Sequence, residues 1–476
     1  MSSATPSKSD ADAEPRARGP WWTRRTFLGA TAAAGVGVAL AGSREVLFGG
    51  AGSGAPAVGY GPLVEDPDGL LSLPEGFSYR IVAHEGETRL DSGEASPSDP
   101  DGAATFARPG EDGAILLCNH EVSGDEAYPV PHPEGLVYDP RANGGVTTIE
   151  VDGAGNRLRH EVSLAGTHVN CAGGRTPWDT WLSCEETEDV LDQPHGYVFE
   201  VDPYDMAANR DPRPIKALGR FPHEAVVVDP DEDVLYLTED ADGPNGLFYR
   251  WTPPEEARPL GKGSLRRLAD DAGILEALRA TTEDGRHVAD LSEATEVGTT
   301  YRADWVQVPD RDAGSRSVRR QFDDSEVTRG RKLEGAWWGD GGAYFVSSYS
   351  RPEEDGTAER HDGQVWFLDV RAGTVRLELL FAATEDQDGD PDGPDNITVS
   401  PFGGVIIAEN GEGSVHLLGA APSGELYFLA RSEREDEDDH EEFCGPVFSP
   451  DGKLLFANLQ GPGYVFAISG PFREHV

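Results

Sequence analysis

The 476-residue chain is poor in cysteine, methionine, lysine and positive charge of any kind. Four cysteines and two methionines are present. Four cysteines in a chain of this size do not make a disulfide framework, and their spacing favours no pairing. Lysine and arginine together number 40 against 86 aspartates and glutamates, for a formal net charge of −46. Such a field repels phosphate backbones and anionic lipid, so nucleic acid and anionic membranes are excluded as partners. The acidity is equally compatible with high salt, with a solvated surface, and with carboxylates gathered on bound cations. No apolar run after residue 41 is long enough to span a membrane. Helical periodicity is scarce, and its best instance, around Leu275 to Leu278, is short. No GxSxG turn presents a nucleophilic serine, and no Gly-rich loop ending in Lys-Ser offers a phosphate cradle.

What is present begins with TRRTFLGATAAAGVGVALAG, residues 23 to 42. Arg24 and Arg25 precede Phe27 and Leu28, and small apolar residues run on to Ala41. This is the pattern of a twin-arginine export signal, with Ala39 and Ala41 framing a cleavage site. No cysteine follows the run before Cys118, so a lipid anchor is not expected. The expected organisation is a signal peptide over 1–41, a linker over 42–72, and one β-rich domain over 73–476. The twin-arginine export machinery is then a partner, the location is extracellular or cell-envelope, and no stable membrane anchor survives cleavage. This export route carries folded proteins, often with a cofactor already bound, which is a first hint of one here.

From Leu73 the chain becomes short runs rich in Val, Leu, Tyr, Phe and Trp, broken by Pro, Gly and Asp turns. That is an all-β pattern. Residues 86–100, 253–330, 351–362 and 383–393 read as loop insertions, and the acidic run 433–442 as a solvated loop. Six stretches share one grammar of polar residue, apolar strand, turn, apolar strand and polar residues. They are DGAATFARPGEDGAILLCNHE, NCAGGRTPWDTWLSCEE, HEAVVVDPDEDVLYLTEDADG, EGAWWGDGGAYFVSSY, DNITVSPFGGVIIAENG and CGPVFSPDGKLLFANLQG. A hairpin returns the end of its second strand beside the start of its first. Each copy therefore collects its polar ends at one place. Those ends hold Asp101 with Asn119 and Glu121, then Asn170 and Cys171 with Glu185 and Glu186. His223 and Glu224 meet Glu239 and Asp240, and Glu334 meets Ser347 and Ser348. Asp395 and Asn396 meet Glu409 and Asn410, and Glu442 and Cys444 meet Asn458. Radially arranged, the copies make a six-bladed β-propeller with loop insertions, its strand ends around one mouth of a central channel.

So many carboxylates cannot share a channel mouth unless protons or cations are bound. Oxygen donors of this kind suit calcium, while a cysteine among them points to a transition metal such as iron. Cys171 is the candidate, because Gly173 and Gly174 follow it and let the backbone approach a crowded centre. Cys118 and Cys184 sit among apolar neighbours and read as core, and Cys444 stays open. Trp178, Trp181, Trp337 and Trp338 read as packing. Arg329, Arg331 and Lys332, just before Glu334, are either a phosphate clamp or a solvated basic run. His120 and His223 flank ligand candidates and either orient them or hold ordinary structural hydrogen bonds.

Seven segments of this chain resemble the PhoX family of exported alkaline phosphatases. They are LCNHE, NCAGGRTPWDTWLSCEE, GRFPHEAVVVDP, YLTEDA, KLEGAWWG, PDNITVSPFGG and EFCGPVFSPDGKLLFANLQGPGYVFAISGPF. The resemblance runs from about Leu73 to Phe472. It implies a six-bladed propeller, a cluster of two ferric and three calcium ions, and hydrolysis of small phosphomonoesters by metal-assisted displacement at phosphorus. Carried over, it implies Cys171 as an iron ligand. Glu121, Glu185, Glu186, Glu224, Glu239, Asp240, Glu334 and Asp395 are the acidic ligands it implies, and Asn119, Asn170, Asn396 and Glu409 are further candidates. Arg331, Lys332 and Glu334 are then the residues nearest the reacting phosphate. Asp179 departs from the family pattern, which has glycine in PWGTW. Two other readings fit a propeller with oxygen ligands: a calcium-dependent lactonase, and a non-catalytic metal-binding protein. The lactonase leaves Cys171 and the surplus of carboxylates unexplained, whereas the non-catalytic protein keeps the ions but not the chemistry.

Overall fold

A computed structural model describes residues 58–66, 69–124, 126–348, 361–383, 390–411, 413–434 and 441–473. These belong to a compact unit that begins at Ser43. The export signal, most of 351–362 and the middle of the acidic run 433–442 lie outside the described residues.

All six expected hairpins form, each antiparallel. The first pairs Pro100–Ala107 with Ala114–His120, the second Asn170–Arg175 with Trp181–Glu185, and the third His223–Val228 with Leu235–Glu239. The fourth pairs Leu333–Gly339 with Gly342–Ser347, the fifth Pro394–Val399 with Val405–Glu409, and the sixth Phe443–Phe448 with Leu454–Leu459. The local chemistry is plain in the third. Val226, Val227 and Val228 favour an extended backbone. Asp229 then turns the chain by accepting from the amides of Asp231 and Glu232 at 2.9 and 3.2 Å. Further strands extend each hairpin outward into a sheet.

The first strands of the six hairpins pack side by side in sequence order, and the sixth returns to the first. The result is an all-β, propeller-like ring. Its closure is non-covalent. Ser78–His84, from near the start of the domain, pairs with Tyr464–Ser469 as the outer strand of the sixth sheet. The apolar seams lie between neighbouring sheets. One joins Phe106 and Leu117 of the first to Trp181 and Phe199 of the second. Another joins Val346 and Phe381 of the fourth to Ile397 and Ile407 of the fifth. Cutting such a buried phenylalanine to alanine costs about 3–5 kcal/mol. Among the described residues helices are confined to 3-10 turns, and no helix is long and apolar enough to cross a membrane.

Three expectations need correction. The segment 42–72 is not all linker, because Leu63–Val64 and Leu71–Pro74 are strands that add to the edge of the fifth sheet. The stretch 253–330 is not only loop, because Ile274–Thr281 and Thr300–Gln307 are strands. Thr300–Gln307 pairs with Thr374–Ala382, joining the third and fourth sheets edge to edge. Leu275 to Leu278 therefore lie in a strand, paired on both sides. Their helix-favouring composition gives way to ladder hydrogen bonds that only the folded sheet supplies.

Candidate metal centre

One local device recurs at the start of every hairpin. The register slips near the start of the first strand, leaving a β-bulge. In the first five hairpins the bulge frees Asp101, Cys171, Glu224, Glu334 and Asp395 from pairing. A bulge re-aims a side chain, and here all five turn toward one another. In the sixth the slip falls one residue later, so Cys444 stays paired with Asn458 and Gly445 is freed. The Cys444 thiol donates to the Pro100 carbonyl at 3.1 Å, which settles it as structural.

The residue after the bulged one lies against the next hairpin. A Cβ at Gly102 would stand 2.4 Å from the Cα of Ala172, and one at Gly335 2.7 Å from that of Asn396. Four hairpins are entered through a left-handed residue: Asp99, Val169, Lys332 and Gly393, at φ +48°, +54°, +50° and +47°. For Val169, β-branched, this is a strained conformation costing about 1–3 kcal/mol. The carbonyls of Asp99 and Val169 accept from the amides of Glu121 and Glu186 at 2.9 and 2.8 Å. Those two carboxylates are thereby held beside the bulged residues.

Three ligand groups result, each with its donor atoms within 4.8 Å of one another. Asp101, Glu121 and Cys171 form the first, Cys171, Glu186 and Glu224 the second, and Glu224, Glu334 and Asp395 the third. Cys171 is common to the first two and Glu224 to the last two, so the groups form a continuous chain. Asp240 stands beside Glu186, and Lys332 contacts Asp240 and lies 3.9 Å from Glu334. Two unit negative charges 4.8 Å apart repel by about 3.5 kcal/mol at an effective dielectric of 20. One lysine does not offset that.

The titration behaviour follows. Burial, then Glu121 and other nearby acids, pushes Asp101 well above the carboxylate range. Burial, then neighbouring carboxylates, does the same to Glu186 and Glu224. Glu121 is pushed by burial to about 7. Burial, then Asp101 and Glu224, raises the Cys171 thiol, which donates to Glu224 Oε2 at 2.8 Å. Buried Asp101 Oδ1 and Asp240 Oδ1 receive no hydrogen bond. Carboxyl oxygens buried without donors fit bound cations.

Several expected ligands stand behind these groups, with their oxygens already engaged. Glu185 accepts from His195 Nδ1 at 2.6 Å and from the amides of His168, Gly196 and Tyr197. Glu239 accepts from Tyr249 at 2.6 Å and Arg319 at 3.2 Å, and Glu409 from His416 at 2.7 Å and the Asp392 amide. The reason is geometric: these glutamates end their second strands and face the sheet, whereas Glu121 and Glu186 lie one residue further on. Asn119 accepts from Trp181 and Ser183 and donates to the carbonyls of Cys171 and Ala172. Asn170 accepts from Thr167 and donates to Ser183. Asn396 donates to Asp395 at 3.0 Å and accepts from the Gly445 amide at 2.8 Å. All three asparagines brace the ring as hydrogen-bonding supports.

Gln460 escapes the sequence reading. It occupies in the sixth hairpin the place of Glu121 and Glu186, and its amide donates to Asp101 at 3.0 Å and to Glu121 at 2.5 Å. Alignment of the six copies would have found it; an amide among acids drew no notice. His120 donates through Nδ1 to the Ser98 carbonyl and accepts from Thr147, and His223 donates to the Gly219 carbonyl. His120 is thereby engaged on both ring nitrogens, whereas buried His223 Nδ1 has no hydrogen-bond partner, and burial lowers the two to about 4 and about 3. Arg331 pairs with Asp290 at 3.1 Å. Arg329 is buried against the carbonyls of Asn245 and Phe322. Of the basic run, Lys332 is the residue that reaches the acids. Cys118 and Cys184 are buried within apolar clusters, and all four cysteines are free thiols.

The model of the family described as alkaline phosphatase PhoX matches residues 58–463. No curated protein sequence matches. Among solved structures, the chain is similar to a calcium form of a carbohydrate-active enzyme from Trichoderma reesei. The identity is 11%, with 87% of this chain and 100% of that one covered, at a TM-score of 0.44. For the PQQ domain of pyranose dehydrogenase from Coprinopsis cinerea the values are 12%, 85%, 98% and 0.40. For a gluconolactonase from Xanthomonas campestris they are 14%, 80%, 98% and 0.31. Likenesses of this size carry no inference about chemistry. The family match spans all six hairpins and every residue of the three ligand groups, and the chain belongs to the PhoX family of alkaline phosphatases.

Proposed function

We propose that this protein is an exported alkaline phosphatase that hydrolyses small phosphomonoesters at an iron and calcium cluster, at the mouth of a six-bladed propeller. The observation that carries the reading is the continuous chain of three ligand groups sharing Cys171 and Glu224. Cys171 is the soft donor that favours iron, and the all-oxygen group of Glu224, Glu334 and Asp395 suits calcium. Bound there, the cations supply charge neutralisation for phosphate oxygens and Lewis-acid activation of the attacking oxygen.

The chain's own residues supply position. Gln460 holds Asp101 and Glu121 in fixed relation, and Asn119 fixes the backbone that carries Cys171. Lys332, aimed by its left-handed backbone, is the cation placed to meet a phosphate oxygen at the rim. Gly102 and Gly335, after the first and fourth bulges, allow the strands to approach closely enough that neighbouring groups share ligands. Export by the twin-arginine route is supported by Arg24, Arg25 and the apolar run after them. It suits a domain that holds its cations only once folded, because ligands from five hairpins meet only in the closed ring.

Metal analysis of protein recovered after native export, with turnover of a model phosphomonoester at alkaline pH, tests this. Iron and calcium with chelator-sensitive turnover are expected. Calcium without iron would favour a lactonase-like protein, and metals without turnover of any phosphoester a non-catalytic one.

A further inference from the structure

We propose a second anion-binding subsite beside the acid ring, which takes a phosphate or carboxylate carried on the alcohol part of the substrate. This rests on the phosphatase reading and narrows it to phosphomonoesters bearing a second anionic group. The site is a cavity of about 380 Å³ lined by Pro244, Arg316, Arg320, Asp323, Asp324 and Arg329. Arg329 is committed to structure, with Asp324 at 2.5 Å and carbonyls around it. Arg316 and Arg320 are exposed. Among the described residues, neither guanidinium meets a carboxylate, carbonyl or ring. Acids outnumber bases 86 to 40 in this chain, and Arg159, Arg250, Arg302 and Arg376 all pair with acids.

The backbone that carries the two arginines is also held in place. Arg316 precedes the 3-10 turn Val318–Gln321 and Arg320 lies within it, while Arg319 reaches Glu188 at 2.8 Å and Glu239 at 3.2 Å. Gln321 donates to the Arg316 carbonyl at 3.1 Å and to that of Asp310 at 2.7 Å. With Asp324 matched by Arg329, the remaining charges over the cavity are two guanidiniums and Asp323. A planar guanidinium offers paired donors that match a phosphate or carboxylate edge.

The cavity lies close to the ring. Pro244 follows Asp240 by four residues and Arg329 precedes Lys332 by three, so the chain places them within about 14 Å. The two segments run together, with the Gly330 amide donating to the Gly246 carbonyl at 3.1 Å. The subsite therefore adjoins the segments that carry Asp240 and Lys332 at the rim, and the substrate that bridges them is one whose two anionic groups stand at its opposite ends.

The test compares the full-length, metal-loaded protein with R316Q/R320Q on p-nitrophenyl phosphate and on fructose 1,6-bisphosphate. The expected result is a KM for the bisphosphate raised about tenfold at unchanged kcat, with p-nitrophenyl phosphate unaffected. An equal change on both substrates, or none on either, overturns the subsite. If neither substrate turns over, the phosphatase reading fails, and calorimetric binding of fructose 1,6-bisphosphate decides the subsite alone. About tenfold weaker binding to the variant upholds it, and equal binding overturns it. Should the double variant not fold, R320Q by itself is measured, with about a threefold change expected and no change overturning the proposal.

Discussion

Removal of cations is expected to invert the pH dependence of stability. In the metal-free ring, burial holds the Glu121 carboxyl at about 7 against an ordinary 4.5. A carboxyl with a raised folded pKa keeps its proton longer when folded than when unfolded. Its contribution is therefore fully present below about 4.5 and lost as pH rises through about 7. The full shift corresponds to about 3 kcal/mol, and about 2 kcal/mol remains after allowing for partial exposure at the mouth. A domain of roughly 400 residues has an unfolding entropy near 0.8 kcal/mol/K, so Glu121 alone lowers Tm by about 2–3 °C between pH 5 and 8. Asp101, Glu186 and Glu224 are shifted the same way and add to it. Glu239, also held near 7 by burial, contributes equally with or without cations, because it lies outside the ring. In the loaded protein, cations replace the protons on the ring, and the ring's share of the fall should vanish or reverse. Scanning fluorimetry of chelated and loaded protein from pH 5 to 8 measures both slopes, with E121Q to remove one titrating group. Chelated protein as stable at pH 8 as at pH 5 would refute the reasoning.

Other substitutions separate ring from scaffold. Cys171→Ser should deplete bound metal and abolish turnover, whereas Cys118→Ser, buried in an apolar seam, should cost about 1–2 kcal/mol in denaturant unfolding and leave metal content intact. Gly335→Ala puts a Cβ 2.7 Å from the Asn396 backbone; a loss of about 1–3 kcal/mol and a reduced metal-to-protein ratio are expected. Asp179 lies at φ +58°, a conformation that glycine adopts without strain. Asp179→Gly should therefore be neutral or stabilising by up to about 1 kcal/mol, despite losing the exposed pair with Arg175. Deleting residues 58–84 removes the strand that closes the sixth sheet, and the truncated protein should fail to give a cooperative melt.

The repeat of strand, turn and strand was legible residue by residue, because alternating apolar runs and Pro, Gly and Asp turns are local signals. So was the gathering of Asp101, Cys171, Glu224, Glu334 and Asp395, because each begins one copy of the repeat and radially arranged copies bring their starts to one mouth. The same logic could not separate Glu185 from Glu186, or Glu239 from Asp240. Adjacent residues on a strand face opposite ways, and only the bulge and the strand's end decide which one meets the axis. Nor could it show that Gln460 joins the acids, that 274–281 is a strand, or that Arg316 and Arg320 stand unpaired over one cavity. Each depends on partners far away in the chain. Composition and local pattern determined the hairpins and the chemistry they carry. Closure of the ring decided which carboxylates come within 4.8 Å of one another and which face the strands behind them, because that choice is made by distances of a few ångströms between different hairpins.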